Sequence, residues 1–316
     1  MIIEIRAKNC FVFEEEISFS MKADMRNKKF ASNVHRENNF NVLKTVGVYG
    51  PNNVGKTCLV KCIRAIKHVL LDKKSGLVPN IFSDNEVCQL SVTFLAYGRK
   101  FSYDFQYNAK TNEYTYESFS EMLKDQYGNE KEVNWLKRDT INEVYYCTDE
   151  DVQAMMPIIS KNNLFYYLVD ISKFECLKEM KDILVSFAEK IDIINMNNIP
   201  MKHTIELMKN RNNLQEKIVD FIKNADLYMD DFKYVDIDKI QVKASDEEER
   251  PEEKALDIPE NIMDQIRLVS TYKGVHVPSM LFDSTGTKKI AAIASYVIEA
   301  IEEGRFLVVD ELDSSI

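Results

Sequence analysis

Three short stretches carry residues whose types and spacing suit phosphate chemistry. The first is Gly50-Pro51-Asn52-Asn53-Val54-Gly55-Lys56-Thr57, of the form GxxxxGKT. It lies between an apolar run, Val46-Gly47-Val48-Tyr49, which reads as a buried strand, and a helical stretch from Cys58 to Leu71. Strand, loop and helix in that order are what a phosphate-binding loop needs. Gly50 and Gly55 relax the backbone so that successive amides can turn onto phosphate oxygens. The helix behind them adds the positive end of its dipole. Lys56 is placed to reach β- and γ-phosphates, Thr57 to offer a hydroxyl to Mg²⁺, and Cys58 to close the row of nucleotide-lining residues. A glycine turn with a chance lysine is the competing reading, and it leaves the agreement of both flanks unexplained.

The second stretch is Asp283-Ser284-Thr285-Gly286-Thr287, followed by Lys288-Lys289-Ile290 and an apolar helix from Ala291 to Ile301. Ser284, Thr285 or Thr287 suits the N-cap of that helix. A small-residue loop feeding a helix N-terminus is a second anion-site candidate, although alone it has the look of an ordinary cap. Gly304 ends the helix. The third stretch, Phe306-Leu307-Val308-Val309, reads as an apolar strand ending in Asp310-Glu311. A carboxylate at such a strand end is where Mg²⁺ beside a phosphate loop needs a ligand, and Asp310 is that residue. Glu311, one step on, is placed to polarise an attacking water.

These stretches sit in a chain of 316 residues, enough for one large domain or two lobes with a real core. Composition is that of an ordinary globular protein, 45% hydrophobic and 29% charged. A formal net charge of -10 argues against a broad basic nucleic-acid surface, while a local patch stays compatible with it. No apolar run has the length of a membrane helix, and Met1-Ile2-Ile3-Glu4-Ile5-Arg6 alternates like a strand and lacks a signal-peptide layout. The six cysteines show no disulfide framework. Cys58 and Cys62, four apart on one helix, could bind a metal only with further ligands, and core packing is the better account of them. A cytoplasmic location is the simplest expectation.

Along the chain, Ile2 to Arg6 and Phe11 to Phe19 read as two strands with a bend at Asn9-Cys10. Met21 to Asn41 reads as a polar surface loop containing His35. Leu59, Ile63, Ile66 and Leu70 give the helix after Thr57 a buried face. Val87 to Leu95 and Phe101 to Tyr107, with Gly98 between, read as a hairpin, and Tyr114 to Phe119 as a third strand. From Ser120 to about Asp238 helical patterns dominate, including Leu164 to Leu168, Phe174 to Ile191 and Ile205 to Phe221. The aromatics there, Trp135, Tyr145, Tyr146, Phe165, Tyr166 and Tyr167, fit packing in a helical lobe better than base stacking, because no basic residues interleave with them. Ser245 to Lys254 is a charged, proline-bearing run that reads as a solvated linker. Ile266 to Tyr272 and Val275 to Phe282 resume strand patterning. The expected division is 1–119 for the first part of an ATPase core, 120–240 for the helical lobe, 241–257 for the linker and 258–316 for the rest of the core.

GPNNVGKT, DSTGTKK and FLVVDELDSSI, in that order and separation, resemble the ATP-binding-cassette superclass. More narrowly they resemble the AAA15, OLD-like ATPases found in abortive-infection and other anti-phage systems, and IIEIRAKNCFVFEEEISF is similar to that family's first two strands. The resemblance covers most of the chain, specific at both ends and loose in the middle. It implies an α/β fold, a P-loop NTPase of ABC-ATPase type with a mixed central sheet, an antiparallel β layer and an inserted helical lobe. It also implies a head-to-tail homodimer in which two subunits grip ATP. On this resemblance Gly50 to Thr57 is the phosphate loop, and Ser284 and Gly286 are the signature residues that meet γ-phosphate in trans. Asp310 supports Mg²⁺, Glu311 is the catalytic glutamate, and Asp313-Ser314-Ser315 crosses the dimer interface. Asp283 to Thr287 departs from the transporter form LSGGQ and fits the OLD-like form. Family members continue past this point with a histidine-bearing turn, another strand and a C-terminal region, some with a nuclease domain, so the chain reads as one cut after the acidic strand. His276, upstream of the signature loop, reads as a strand or loop side chain rather than as a replacement for that histidine. Neither Gln89 nor Gln106 is placed like the family's Mg²⁺-sensing glutamine.

The expected function is therefore Mg²⁺-dependent ATP hydrolysis driving a dimerisation or conformational switch, coupled to an effector protein or region. Two other readings stand beside it: an ATP-binding regulatory or scaffold subunit with little hydrolysis, and a DNA-associated maintenance ATPase.

Overall fold

The computed structural model describes residues 1–26, 29–37, 40–124, 130–210, 212–225, 228–235 and 266–312. The expected linker 241–257 and Asp313-Ser314-Ser315 lie outside the described residues. The chain divides into two compact units, Met1–Ile191 and Asp192–Ile316.

In the first unit, β1 (Ile2–Lys8) and β2 (Ile17–Ser20) are joined by a tight turn, and β3 (Val34–Glu37) and β4 (Phe40–Leu43) form a separate hairpin. Then come α1 (Lys56–Leu70), β5 (Val87–Ala96), β6 (Arg99–Asn108), β7 (Glu113–Lys124), β8 (Glu130–Asp139) and β9 (Val144–Cys147). Three helices close the unit: α2 (Glu150–Met155), α3 (Phe165–Leu168) and α4 (Glu175–Glu189). Seven strands make one antiparallel sheet in the order β2-β1-β5-β6-β7-β8-β9. The expected hairpin around Gly98 is present. Tyr97 and Gly98 both adopt left-handed φ, 52° and 70°, so the two-residue turn follows the twist of its strands.

Period-two alternation gives this sheet a wet face and a dry one. Ile5, Val92, Tyr103, Phe119 and Leu136 lie in one cross-strand row and are buried. Their neighbours Arg6, Ser91, Asp104 and Ser118 form the polar row on the opposite face. The dry face carries α1, through Cys62, Ile63, Ile66, Val69 and Leu70, and α4, whose Phe187 stacks on Phe94 at 4.0 Å between ring centroids. An ion pair is buried on the same face. Glu117 lies 3.5 Å from Arg138 and accepts from Tyr103 Oη (3.0 Å) and Phe165 N (2.9 Å). Arg138 donates to Ser160 O (3.1 Å) and Asn163 O (3.0 Å), which ties the segment entering α3 to the sheet. Burial pushes the Glu117 carboxyl up, against the pull of Arg138. Removing one member of such a pair typically costs about 3–5 kcal/mol, because the other charge stays buried.

Three expectations change here. Residues 120–124 and 130–147 build strands and a turn rather than helix, because the alternation of β7 runs on past Phe119. Trp135 accordingly packs within the sheet, edge-on to Phe101 and Phe119 with Arg99 over its ring, and not in a helical lobe. The polar stretch after Met21 contains the β3–β4 hairpin, where His35 meets Glu37 at 3.2 Å. Val46-Gly47-Val48-Tyr49 is neither a strand nor buried; Tyr49 is 93% exposed. A strand exists only within a ladder, and among the described residues none pairs with 46–49.

The second unit holds β10 (Ile191–Asn195), α5 (Lys202–Asn210), α6 (Asn212–Asn224), β11 (Asp231–Tyr234), β12 (Leu268–Tyr272), β13 (Val275–Pro278), α7 (Ser279–Phe282), α8 (Thr285–Glu303) and β14 (Phe306–Asp310). The run from Ile205 to Phe221 is two helices, not one. β11, β12 and β13 form an antiparallel sheet, and β10 pairs with β14. His276 is a strand residue opposite Thr271, with a 2.8 Å hydrogen bond between their side chains. α8 is the organising element. Ala291, Ala294 and Ile298 pack with Ile205, Met208, Ile218, Ile222 and Phe232, while Ile293 and Val297 pack with Ile194, Met196, Leu307 and Val309. The alanines let α5 approach closely enough for Thr204 Oγ1 to reach Ala291 O (3.0 Å) and Ser295 Oγ (2.9 Å). Among the described residues no helix is long and apolar enough to cross a membrane.

Candidate phosphate-binding site

The predicted site residues fall in both units: Gly50 to Cys58 in the first, Ser284, Gly286, Asp310 and Glu311 in the second. In the first unit the loop ends at Gly55, the N-cap of α1, in a left-handed conformation at φ 98°. Asn53 is left-handed too, at φ 68°. Lys56 curls back over this loop, and its Nζ donates to Gly50 O and Pro51 O, both at 2.7 Å. Thr57 follows on the first turn, exposed, and Cys58 is half-buried. Gly50, Pro51, Asn52, Asn53 and Val54 are exposed.

The β1–β2 turn explains why residue 55 is glycine. Asn9 and Phe11 are left-handed, and Cys10 and Phe13 exchange two backbone hydrogen bonds at 2.9 Å. Asn9 donates to Val87 O (3.1 Å), and Asn80 donates to Phe11 O (3.1 Å), so the turn is held from two sides. Its tip faces the loop: a Cβ on Gly55 would lie 2.8 Å from Phe13 Cε1 and 3.0 Å from Val12 Cγ2. At the far end of α1, Tyr167 Oη caps Leu70 O at 2.7 Å.

In the second unit Ser284 is the N-cap of α8, and its Oγ accepts from Thr287 N at 3.1 Å. Thr287 Oγ1 lies 2.9 Å from the same oxygen. Gly286 falls within the first turn, where a missing side chain leaves the helix end open to approach. Gly304, left-handed, ends the helix as expected, its N–H bonded to Ala300 O. Asp310 closes β14, and Glu311 stands immediately beyond it in a left-handed conformation, φ 58°.

Two polar groups here were not singled out from sequence. Asn197, just past the end of β10, donates its side-chain amide to Glu311 Oε2. Asp283, just before Ser284, is buried among hydroxyls of Ser270, Tyr272 and Ser279. The signal for Asn197 was a strand ending in asparagines, Asn195-Met196-Asn197-Asn198, like the acidic end of β14. Gln89 and Gln106 face each other across β5 and β6, in the body of the large sheet.

No family model matches the chain, and no curated protein matches it either. Among solved structures, the SMC head domain from Thermotoga maritima aligns with all of this chain and 79% of its own, at 11% identity and a TM-score of 0.43. At that level of overlap the likeness carries no weight, and the functional reading rests on the residues themselves.

Proposed function

We propose that this chain is a P-loop ATPase of the ABC type, using Mg²⁺-dependent hydrolysis of ATP to switch between conformational or dimeric states. The observation that carries the reading is the loop at Gly50–Thr57. A left-handed glycine opens a 15-residue helix, and the next residue is a lysine whose ammonium is turned onto the loop. The donor set fits a triphosphate. Amides at the start of α1 meet phosphate oxygens, and Lys56 offsets the charge that grows on the transferring group. Thr57 in the first unit and Asp310 in the second each offer an oxygen ligand of the kind a hard cation takes. When bound, Mg²⁺ neutralises charge on the β- and γ-phosphate oxygens. Glu311 accepts the proton of the attacking water, with Asn197 orienting its carboxylate. Ser284 and the amides at the start of α8, where Gly286 leaves room, contact γ-phosphate from a second copy of the chain.

Glu311→Gln tests this. It should keep nucleotide affinity and lower turnover by about 10²–10⁴-fold, the usual contribution of a positioned general base. A phosphate-release assay paired with fluorescent-nucleotide binding reads both quantities. Turnover equal to that of the unmodified chain would remove Glu311 from the mechanism.

A further inference from the structure

Asp283 is 6% exposed, yet its carboxylate is surrounded by donors. Oδ2 accepts from Ser270 Oγ and Ser279 Oγ, both at 2.6 Å, and Oδ1 accepts from Tyr272 Oη at 2.7 Å. Its own N–H donates to Ser279 O at 3.0 Å. These partners come from β12 and α7, so two elements are tied to the residue that immediately precedes the cap of α8. Bonds to a carboxylate are shorter and stronger than bonds between neutral groups. Ending α7 or starting α8 does not need a buried charge, since a neutral side chain caps at lower desolvation cost.

What the arrangement fixes is the next residue. Ser284 has φ -65° and ψ 160°, and its hydroxyl is exposed. On the far side Thr287 holds it through N–H and hydroxyl, and Lys288 Nζ donates to Met280 O at 2.7 Å, joining the start of α8 to α7. Either hydroxyl of this pair can donate, and when Thr287 does, the proton of Ser284 is available to an incoming oxygen. We propose that Asp283 is a positioning residue: through its three hydroxyl partners it holds Ser284 and the first turn of α8 where they meet the γ-phosphate. This rests on the reading of Ser284 as a phosphate contact.

The test is a double-mutant cycle on the full chain, with steady-state ATP hydrolysis and fluorescent-ATP binding measured for each protein. Asp283→Ala should lower kcat about tenfold or more, while Kd for nucleotide stays within about twofold, because the loop at Gly50–Thr57 is untouched. Asp283→Asn, which keeps the volume and one acceptor, should recover part of the rate. In a Ser284→Ala background Asp283→Ala should add little, since both changes remove the same contact. An Asp283→Ala loss of equal factor in both backgrounds would show that Asp283 acts elsewhere and overturn the proposal. A defective Ser284→Ala beside a silent Asp283→Ala would overturn it while leaving the ATPase reading intact. A silent Ser284→Ala would take down the phosphate role of Ser284 and this proposal together. If Asp283→Ala loses cooperative unfolding, Tyr272→Phe decides. A loss of about two- to fivefold in kcat, absent in the Ser284→Ala background, supports the proposal, and an unchanged rate refutes it.

Discussion

Gly55→Ala gives the sharpest test of the loop geometry, because the structure sets both the strain and the clash. At φ 98° an L-residue is in left-handed territory, worth about 1–2 kcal/mol. The new methyl would stand 2.8 Å from Phe13 Cε1, 3.0 Å from Phe13 Cζ and 3.0 Å from Val12 Cγ2. The backbone of Phe13 is tied to Cys10 by two hydrogen bonds, so relief must come from turning its half-buried ring, and overpacking of this kind costs about 1–3 kcal/mol. The smaller backbone entropy of an unfolded alanine returns about 0.4–1 kcal/mol. The net expectation is a loss of about 1–4.6 kcal/mol, or a displaced loop with nucleotide affinity down about tenfold or more. Two other glycines in the same segment serve as internal standards. At Gly50 a Cβ meets only Val54 Cγ2, at 3.2 Å, and that side chain is 54% exposed and can move. At Gly47 the nearest atom, Tyr49 Cε2, is only 2.6 Å away, but it belongs to an exposed ring free to swing aside. Denaturant unfolding of the three variants, followed by circular dichroism with m-values checked, should rank Gly55→Ala as the damaging one and leave the others within about 1 kcal/mol of the parent. A Gly55→Ala protein within about 0.5 kcal/mol of the parent, with normal nucleotide binding, would refute the placement of the β1–β2 turn against the loop.

Cys58 should react first with iodoacetamide at mildly alkaline pH: Cys10, Cys62, Cys88 and Cys147 are buried, Cys10 is pushed up to about 12 chiefly by its hydrogen bond with Cys62, and burial pushes Cys176 up to about 11. MgATP should slow that labelling, and mass spectrometry showing equal rates with and without nucleotide would place Cys58 outside the site. Tyr272 titrates late, pushed up to about 12 by partial burial and then by Asp283. Because the folded value lies above the ordinary 10.0, the stabilisation is fully present below pH 10 and is lost as pH rises through about 12. The absorbance difference at the phenolate band between the parent and Tyr272→Phe should therefore appear only in that upper window. A difference already complete near pH 10 would mean that the carboxylate contact is absent.

What could be read from sequence was local. The glycine before Lys56, the cap of α8, the Gly304 stop and the Gly98 hairpin each depend on a few neighbouring residues, and of the three caps the pattern offered, Ser284, Thr285 and Thr287, the chain uses Ser284. What could not be read was set by partners far along the chain. Val46 to Tyr49 has the composition of a strand, but composition supplies no ladder. Residues 120–124 and 130–147 have mixed propensity, and their strands were decided by pairing with their neighbours in the sheet. The same distance hid half of the candidate chemistry. Asn197 meets Glu311 across 114 positions, while Ser270, Tyr272 and Ser279, only 13, 11 and 4 positions from Asp283, meet it because β12, β13 and α7 fold back on one another. The residues that touch phosphate in a P-loop enzyme are named by motif, since the chemistry demands particular types at fixed spacing. The residues that aim them answer only to the local shape of the fold. That division also says where the reading is most exposed to test: if Asn197 or Asp283 can be changed with no effect on turnover while Lys56 and Glu311 cannot, the motif is at work without the support this fold builds around it.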